Sequence, residues 1–190
     1  MKKIKKFKIN IRKREVLRNL KLATEIKEIT PQLEDIISKE IEDSQEYINP
    51  ASVFETFSLN EIEKKFGLKF EQNYPAVSVI VVTIGKDIEK VIEQFKSTGE
   101  NLHSMIVHSI GLEACESSKN FVYRIISEEA KEEDCILLPP EKQSEEISKN
   151  IIKNFNTDRI GVFIDDKNTI QPVYTDVSIV KWQIKSKKQV

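Results

Sequence analysis

Apolar residues recur along this chain with two periods, and the changes from one to the other divide it into elements. Ile4, Phe7, Ile9 and Ile11 alternate in part with lysines, the pattern of a strand with one wet, basic face at a sheet edge, where charge discourages stray pairing. A short helix over Lys13 to Leu20 follows. Thr30-Pro31 supplies an N-cap and a first-turn proline, and Leu33, Ile36, Ile37, Ile41, Tyr47 and Ile48 keep helical spacing up to Asn49-Pro50. Residues 31–48 therefore read as an amphipathic helix with an acidic outer face. Val53, Phe54, Thr56 and Phe57 mark a short strand, and Ser58 with Glu61 has capping-box spacing for a helix that stops near Gly67. The run AVSVIVVT at residues 76–83 is what a strand buried on both faces requires.

After a turn at Gly85, Ile88, Val91, Ile92 and Phe95 predict another helix, broken at Ser97-Thr98-Gly99. From Glu100 to about Lys131 there is no proline and one glycine, Gly111, while Leu102, Ile106, Ile110, Ala114, Phe121 and Ile125 hold one stripe. This predicts a single long, packed helix. A further helix over about 141–155 follows Pro139-Pro140. The chain then closes with a strand at Ile160–Ile164, a polar turn at Asp165-Asp166-Lys167-Asn168, and a strand from Val173 to Ile184. Strands at both ends with helices between, and no repeat or linker, predict one α+β domain over residues 1–190.

Composition narrows the function more than the fold. Apolar residues are 39% of the 190, enough for a core, and 30 Lys plus Arg against 31 Asp plus Glu leave no net field to draw nucleic acid or an anionic membrane. No stretch approaches the roughly 18 apolar residues of a membrane span. Met1-Lys2-Lys3 is not followed by an apolar segment, and Cys115 and Cys135 form no CxxC, which together predict a cytoplasmic protein. GxGxxG, P-loop, HExxH and GxSxG motifs are absent. His103 and His108 stand about 140° apart on a helix, the wrong spacing to share a metal. The cluster Lys2, Lys3, Lys5, Lys6, Lys8, Arg12, Lys13 and Arg14 has only Phe7 among it, and reads as a solvated edge, not a nucleic-acid surface. Asp165-Asp166 reads as a hairpin turn before a paired-carboxylate site.

Val82-Thr83-Ile84-Gly85-Lys86-Asp87-Ile88-Glu89-Lys90, then Asn101-Leu102-His103 and His108-Ser109-Ile110-Gly111-Leu112-Glu113-Ala114-Cys115-Glu116, together resemble the activation (reactivation) domain of vitamin B12-dependent methionine synthase in its short, stand-alone form. Similar stretches occur at Glu15–Leu20, Asn49–Ser52, Arg159–Val162, Asp165-Asp166, Pro172 and Thr175–Ser178. The resemblance implies a mixed or antiparallel twisted sheet with a long central helix and flanking helices. It also implies S-adenosylmethionine as methyl donor, cobalamin carried by a methionine synthase module, and a flavodoxin-type electron donor. On that alignment Glu116 holds the ligand's amine, Gly85 and Gly111 allow close backbone approach, and Asp166 lines the cleft. No catalytic acid, base or metal is required, because the cofactor does the covalent chemistry. The family's RxxxGY signature has no match in Cys135-Ile136-Leu137-Leu138-Pro139-Pro140-Glu141, where Arg, Gly and Tyr are all missing. Arg124 or Arg159 is then left to supply a cation. Two functional classes stay open, a reactivation module and a docking module that has lost the ligand.

Overall fold

The computed structural model describes residues 1–24 and 28–185. Six helices are described: α1 (Lys13–Ala23), α2 (Pro31–Asp43), α3 (Leu59–Phe66), α4 (Asp87–Ser97), α5 (Asn101–Glu132) and α6 (Glu145–Asn154). The strands are β1 (Lys2–Lys5), β2 (Ala51–Phe57), β3 (Val77–Thr83), β4 (Cys135–Leu137), β5 (Glu141–Lys142), β6 (Phe163–Ile164), β7 (Ile170–Gln171) and β8 (Thr175–Ile184). β1, β2, β3, β8 and β4 make one sheet in that order, with β5 also on β8, while β6 and β7 form a separate hairpin. Every pairing is antiparallel.

β3 sits at the centre with apolar side chains on both faces. Val77, Val79 and Val81 join Val177 and Ile179 against Ile62 and Phe66 of α3 and Ile151, Ile152 and Phe155 of α6. Ile80 and Val82 point the other way, with Phe54, Val180 and Trp182, onto Val122, Ile126 and Ala130 of α5. Alternation in a strand covered twice leaves no solvent-facing position, which is why residues 76–83 read as a nearly continuous apolar run. Ser78 and Thr83 are the exceptions and are satisfied: Trp182 Nε1 donates to the Ser78 hydroxyl at 2.8 Å with Thr56 Oγ1 2.7 Å away, and Thr83 Oγ1 donates to the Tyr174 carbonyl at 3.2 Å. α1, α2 and α4 surround the first half of α5 in a third cluster containing Val16, Leu20, Ile37, Ile88, Ile106 and Ile110.

The local signals operate as their chemistry requires. Thr30 accepts from Leu33 N at 3.2 Å with Pro31 at the first helical position. Ser58 and Glu61 form the reciprocal capping box, and Gly67 closes α3 in the left-handed conformation. α1 runs on to Ala23 and the last strand starts at Thr175, with Ile170–Gln171 a separate strand, and four further boundaries differ from the sequence reading. α2 stops at Asp43 and tightens into a 3-10 turn at Ser44–Glu46, because Ser44 Oγ donates back to the Ile41 carbonyl. The basic strand pairs only over Lys2–Lys5, since Lys6 turns to φ +54 and residues beyond it run along α5 instead. Residues 141–142 pair with β8 before α6 begins behind its own cap, Ser144. Ile160 belongs to a 3-10 turn, leaving only Phe163–Ile164 as strand.

Candidate functional site

α5 organises the polar chemistry of the molecule. Glu113, 2% exposed, is its buried acid. Arg12 Nε donates to Glu113 Oε1 at 2.7 Å and Nη2 to Oε2 at 3.1 Å, and Arg12 N and Ser117 Oγ add donors at 3.3 and 2.8 Å. This two-pronged pair ties the extended segment after β1 to the middle of the helix. Hydrogen bonding to Glu113, with help from the charges of Glu113, Glu15 and Glu116, raises the Arg12 pKa still higher against the opposing effect of burial. The sequence reading passed over Glu113. It stands three residues after Ile110 and one before Ala114, on the flank of the apolar stripe, and that spacing is the signal it offered.

Between the segment and α5 lies a groove of about 610 Å³, bordered by Lys8, Asn10 and Arg12 on one side and Asn120, Phe121 and Arg124 on the other. Phe7 stacks on Phe121 with centroids 4.5 Å apart and planes 9° from parallel, and the Arg124 guanidinium sits 6.0 Å from the Phe121 centroid. Glu116 joins the groove through Asn120, whose Nδ2 donates to Oε1 at 3.3 Å. Its other oxygen is 2.7 Å from Lys119 Nζ, which in turn lies 3.7 Å from Asp176 Oδ2. Burial alone would lower the Lys119 pKa; Asp176 and Glu116 outweigh it and raise the value. Ser178 Oγ donates to Asp176, completing a satisfied network beneath the groove. Burial and Asp176 push the neighbouring Cys115 thiol up to about 12.

A second, larger groove of about 770 Å³ opens at the end of the sheet where β1 finishes and β2 starts, and Gly85 lines it. Asp166 lines an adjoining hollow of about 640 Å³ on the other side of the β6–β7 hairpin. Gly111 lies in the interior: a Cβ there would fall 2.5 Å from Tyr174 Cε1 and 2.9 Å from Ile88 Cδ1. The close approach that Gly111 permits is to the Tyr174 ring. Glu116, Gly85, Gly111 and Asp166 thus occupy four separate surroundings, Glu116 alone beside the α5 groove.

Asp165, His103 and His108 are engaged within the fold. Asp165 accepts from Lys167 N, Thr169 N, Thr169 Oγ1 and Gln171 Nε2 between 2.7 and 3.1 Å, bonds led by Thr169 that hold its pKa low and make it the hub of the hairpin turn. His103 Nδ1 is 2.6 Å from Glu40 Oε1, and His108 Nδ1 is 2.6 Å from the Tyr174 hydroxyl. Arg159 lies in the 3-10 turn whose Ile160 packs on the sheet face opposite α5. Among the described residues no three His, Cys, Asp or Glu side chains converge as metal ligands would, and no helix is long and apolar enough to cross a membrane.

An antiparallel sheet clasped by a 32-residue helix, with the N-terminal segment clamped to that helix, defines the class of the chain as a single-sheet α+β fold. The particular likeness is to the crystal structure of the MetH reactivation domain bound to AdoHcy, with a TM-score of 0.61 over 98% of this chain and 79% of that one, at 10% identity. The fold is the same. No family model matches the sequence, and no curated protein does.

Proposed function

We propose that this chain is an activation-type module that binds S-adenosylmethionine in the α5 groove on behalf of a cobalamin-carrying methionine synthase partner, reduced by a flavodoxin-type protein. The observation that carries the reading is the shared architecture, over 98% of the chain, with a reactivation domain solved with AdoHcy. The groove's donor set is consistent with the same ligand. Glu116 Oε1 faces the amine, and Arg12, whose Nη1 makes no hydrogen bond among the described residues, faces the carboxylate. Eight residues beyond Glu116, about 12 Å along the axis, Arg124 over the Phe121 ring offers a planar cation to adenine. A nucleoside joined to an amino acid spans that distance when laid along the helix. The ligand supplies the methyl group to reduced cobalamin on the partner, and the protein's share is to bind and orient it.

Calorimetric titration of the folded chain with S-adenosylmethionine tests this. Binding is expected, weakened about tenfold by Glu116→Gln or Arg124→Gln, the worth of one charge-assisted contact. No heat at millimolar ligand refutes it. A second reading, a docking module without the ligand, is favoured by one observation. Where the resemblance places RxxxGY, Cys135–Leu137 is instead paired to Ile184–Trp182 of β8, and none of the three signature residues is present. It predicts capture of a cobalamin-loaded methionine synthase module by the tagged chain with and without S-adenosylmethionine.

A further inference from the structure

We infer that the groove at the sheet end is a second ligand site, separate from the α5 groove, for a small organic phosphate carrying a planar ring. Its rim holds three carboxylates and three ammonium groups, and the two sets differ in how far they are engaged. Asp87 accepts from Lys90 at 2.7 Å, Glu89 from Val173 N at 2.8 Å, and Asp165 from the four donors of its turn. Lys5, Lys6 and Lys86 make no ion pair within 4 Å among the described residues, and Lys86 acts on Asp87 only through space. Neutral donors leave Glu89 and Asp165 charged but occupy their acceptor positions, whereas the three ammonium groups keep N–H donors free, so what the groove still offers an entering ligand is donors. None of its lining residues lines the α5 groove, which separates this site from the one proposed above.

The floor and rim fit the rest of such a ligand. Buried Pro50, Ile160 and Pro172 give an apolar base, and Phe163, 54% exposed, leaves a ring face open at the edge. A mononucleotide-sized molecule fits a concavity of about 770 Å³, and its base would stack on Phe163 as bases do on exposed aromatics. The backbone around the groove is unusual in the same direction. Gly85 and Gly161 have φ +82 and +74, and Lys6 has φ +54. The other described non-glycine residues with positive φ are Asp134, Asn156 and Asn168, types that tolerate that region, whereas lysine does not. A strained lysine held at the mouth of a groove is the kind of outlier that accompanies a binding role.

Titrating the whole chain with adenosine monophosphate, inorganic phosphate and adenosine at low salt tests the assignment. The expected result is saturable binding of adenosine monophosphate, at least fivefold tighter than either phosphate or adenosine alone. Lys86→Gln should weaken it at least fivefold, and Phe163→Ala should weaken adenosine monophosphate while leaving phosphate unchanged. Lys6→Gly provides a check independent of folding damage: it should bind more weakly and melt at a higher temperature, because glycine relieves the backbone. No binding of adenosine monophosphate at 5 mM overturns the proposal, a threshold on the order of a very weak ligand. So does equal affinity for phosphate alone, affinity unchanged in Lys86→Gln, or tighter binding of a short single-stranded RNA than of the mononucleotide. The α5 variants Glu116→Gln and Arg124→Gln should leave this affinity unchanged, so failure of one site does not read as failure of the other.

Discussion

Replacing Gly111 by alanine sets two effects against each other whose difference has a definite sign. In a helix open to solvent, Gly→Ala stabilises by about 1 kcal/mol, because glycine has the most backbone freedom to lose. Here the new methyl carbon would stand 2.5 Å from Tyr174 Cε1 and 2.9 Å from both Tyr174 Cδ1 and Ile88 Cδ1. Tyr174 is 5% exposed, and its hydroxyl lies 2.6 Å from His108 Nδ1. The ring cannot retreat without disturbing packing and that hydrogen bond. Overpacking costs about 1–3 kcal/mol. The lost hydrogen bond adds about 0.5–1.5 kcal/mol. Against the gain in helix propensity, the net is a loss of about 2 kcal/mol, or about 4–8 °C in melting temperature for a chain this long. Urea and thermal unfolding followed by circular dichroism at the helix band measure it. A cycle with Tyr174→Ala should show about 1 kcal/mol or more of coupling, since the clash disappears with the ring. A Gly111→Ala protein as stable as the parent, or more so, would show that α5 and Tyr174 do not approach as described.

Three further outcomes follow from the same structure. Glu113→Ala should cost about 2–3 kcal/mol in urea unfolding, less than a fully buried pair because Arg12 is about half exposed, and a loss under about 0.5 kcal/mol would deny the clamp its role. Burial lowers the His108 pKa below 6.5, so the fold holds the neutral ring and acid favours the unfolded chain. Stability should therefore decline as pH falls through 6.5, and His108→Asn should flatten that part of the profile in pH-stepped melts. With its thiol pushed up to about 12, Cys115 should resist iodoacetamide at pH 8 in the native chain and react on unfolding; rapid native alkylation at that residue by mass spectrometry would contradict its surroundings.

The repeating elements were legible in the sequence because each is fixed by local chemistry. Residues 76–83 could only be a strand covered on both sides, Thr30-Pro31 and Ser58 with Glu61 could only open helices, and the lysines of β1 belong at an edge, where it lies. Other features depend on contacts between distant residues. A helical wheel allots α5 one apolar stripe, yet its first half is enclosed by α1, α2, α4 and Tyr174, so Ser104, Ser109, Gly111 and Glu113 are buried there as well. Its second half turns Val122, Ile126 and Ala130 to the sheet, leaving Leu102, at the start of the supposed stripe, 37% exposed. Which acid on α5 is solvated and which is clamped follows from where the segment around Arg12 returns, 101 residues away in sequence. β4, with three residues, is too short to show a period and exists because the edge of β8 has unpaired backbone to satisfy. Spacing along the chain fixed what each segment is. Burial of charge, the pairing of Glu113 and the separation of the two grooves were decided by tertiary structure, because they depend on partners that local sequence does not contain.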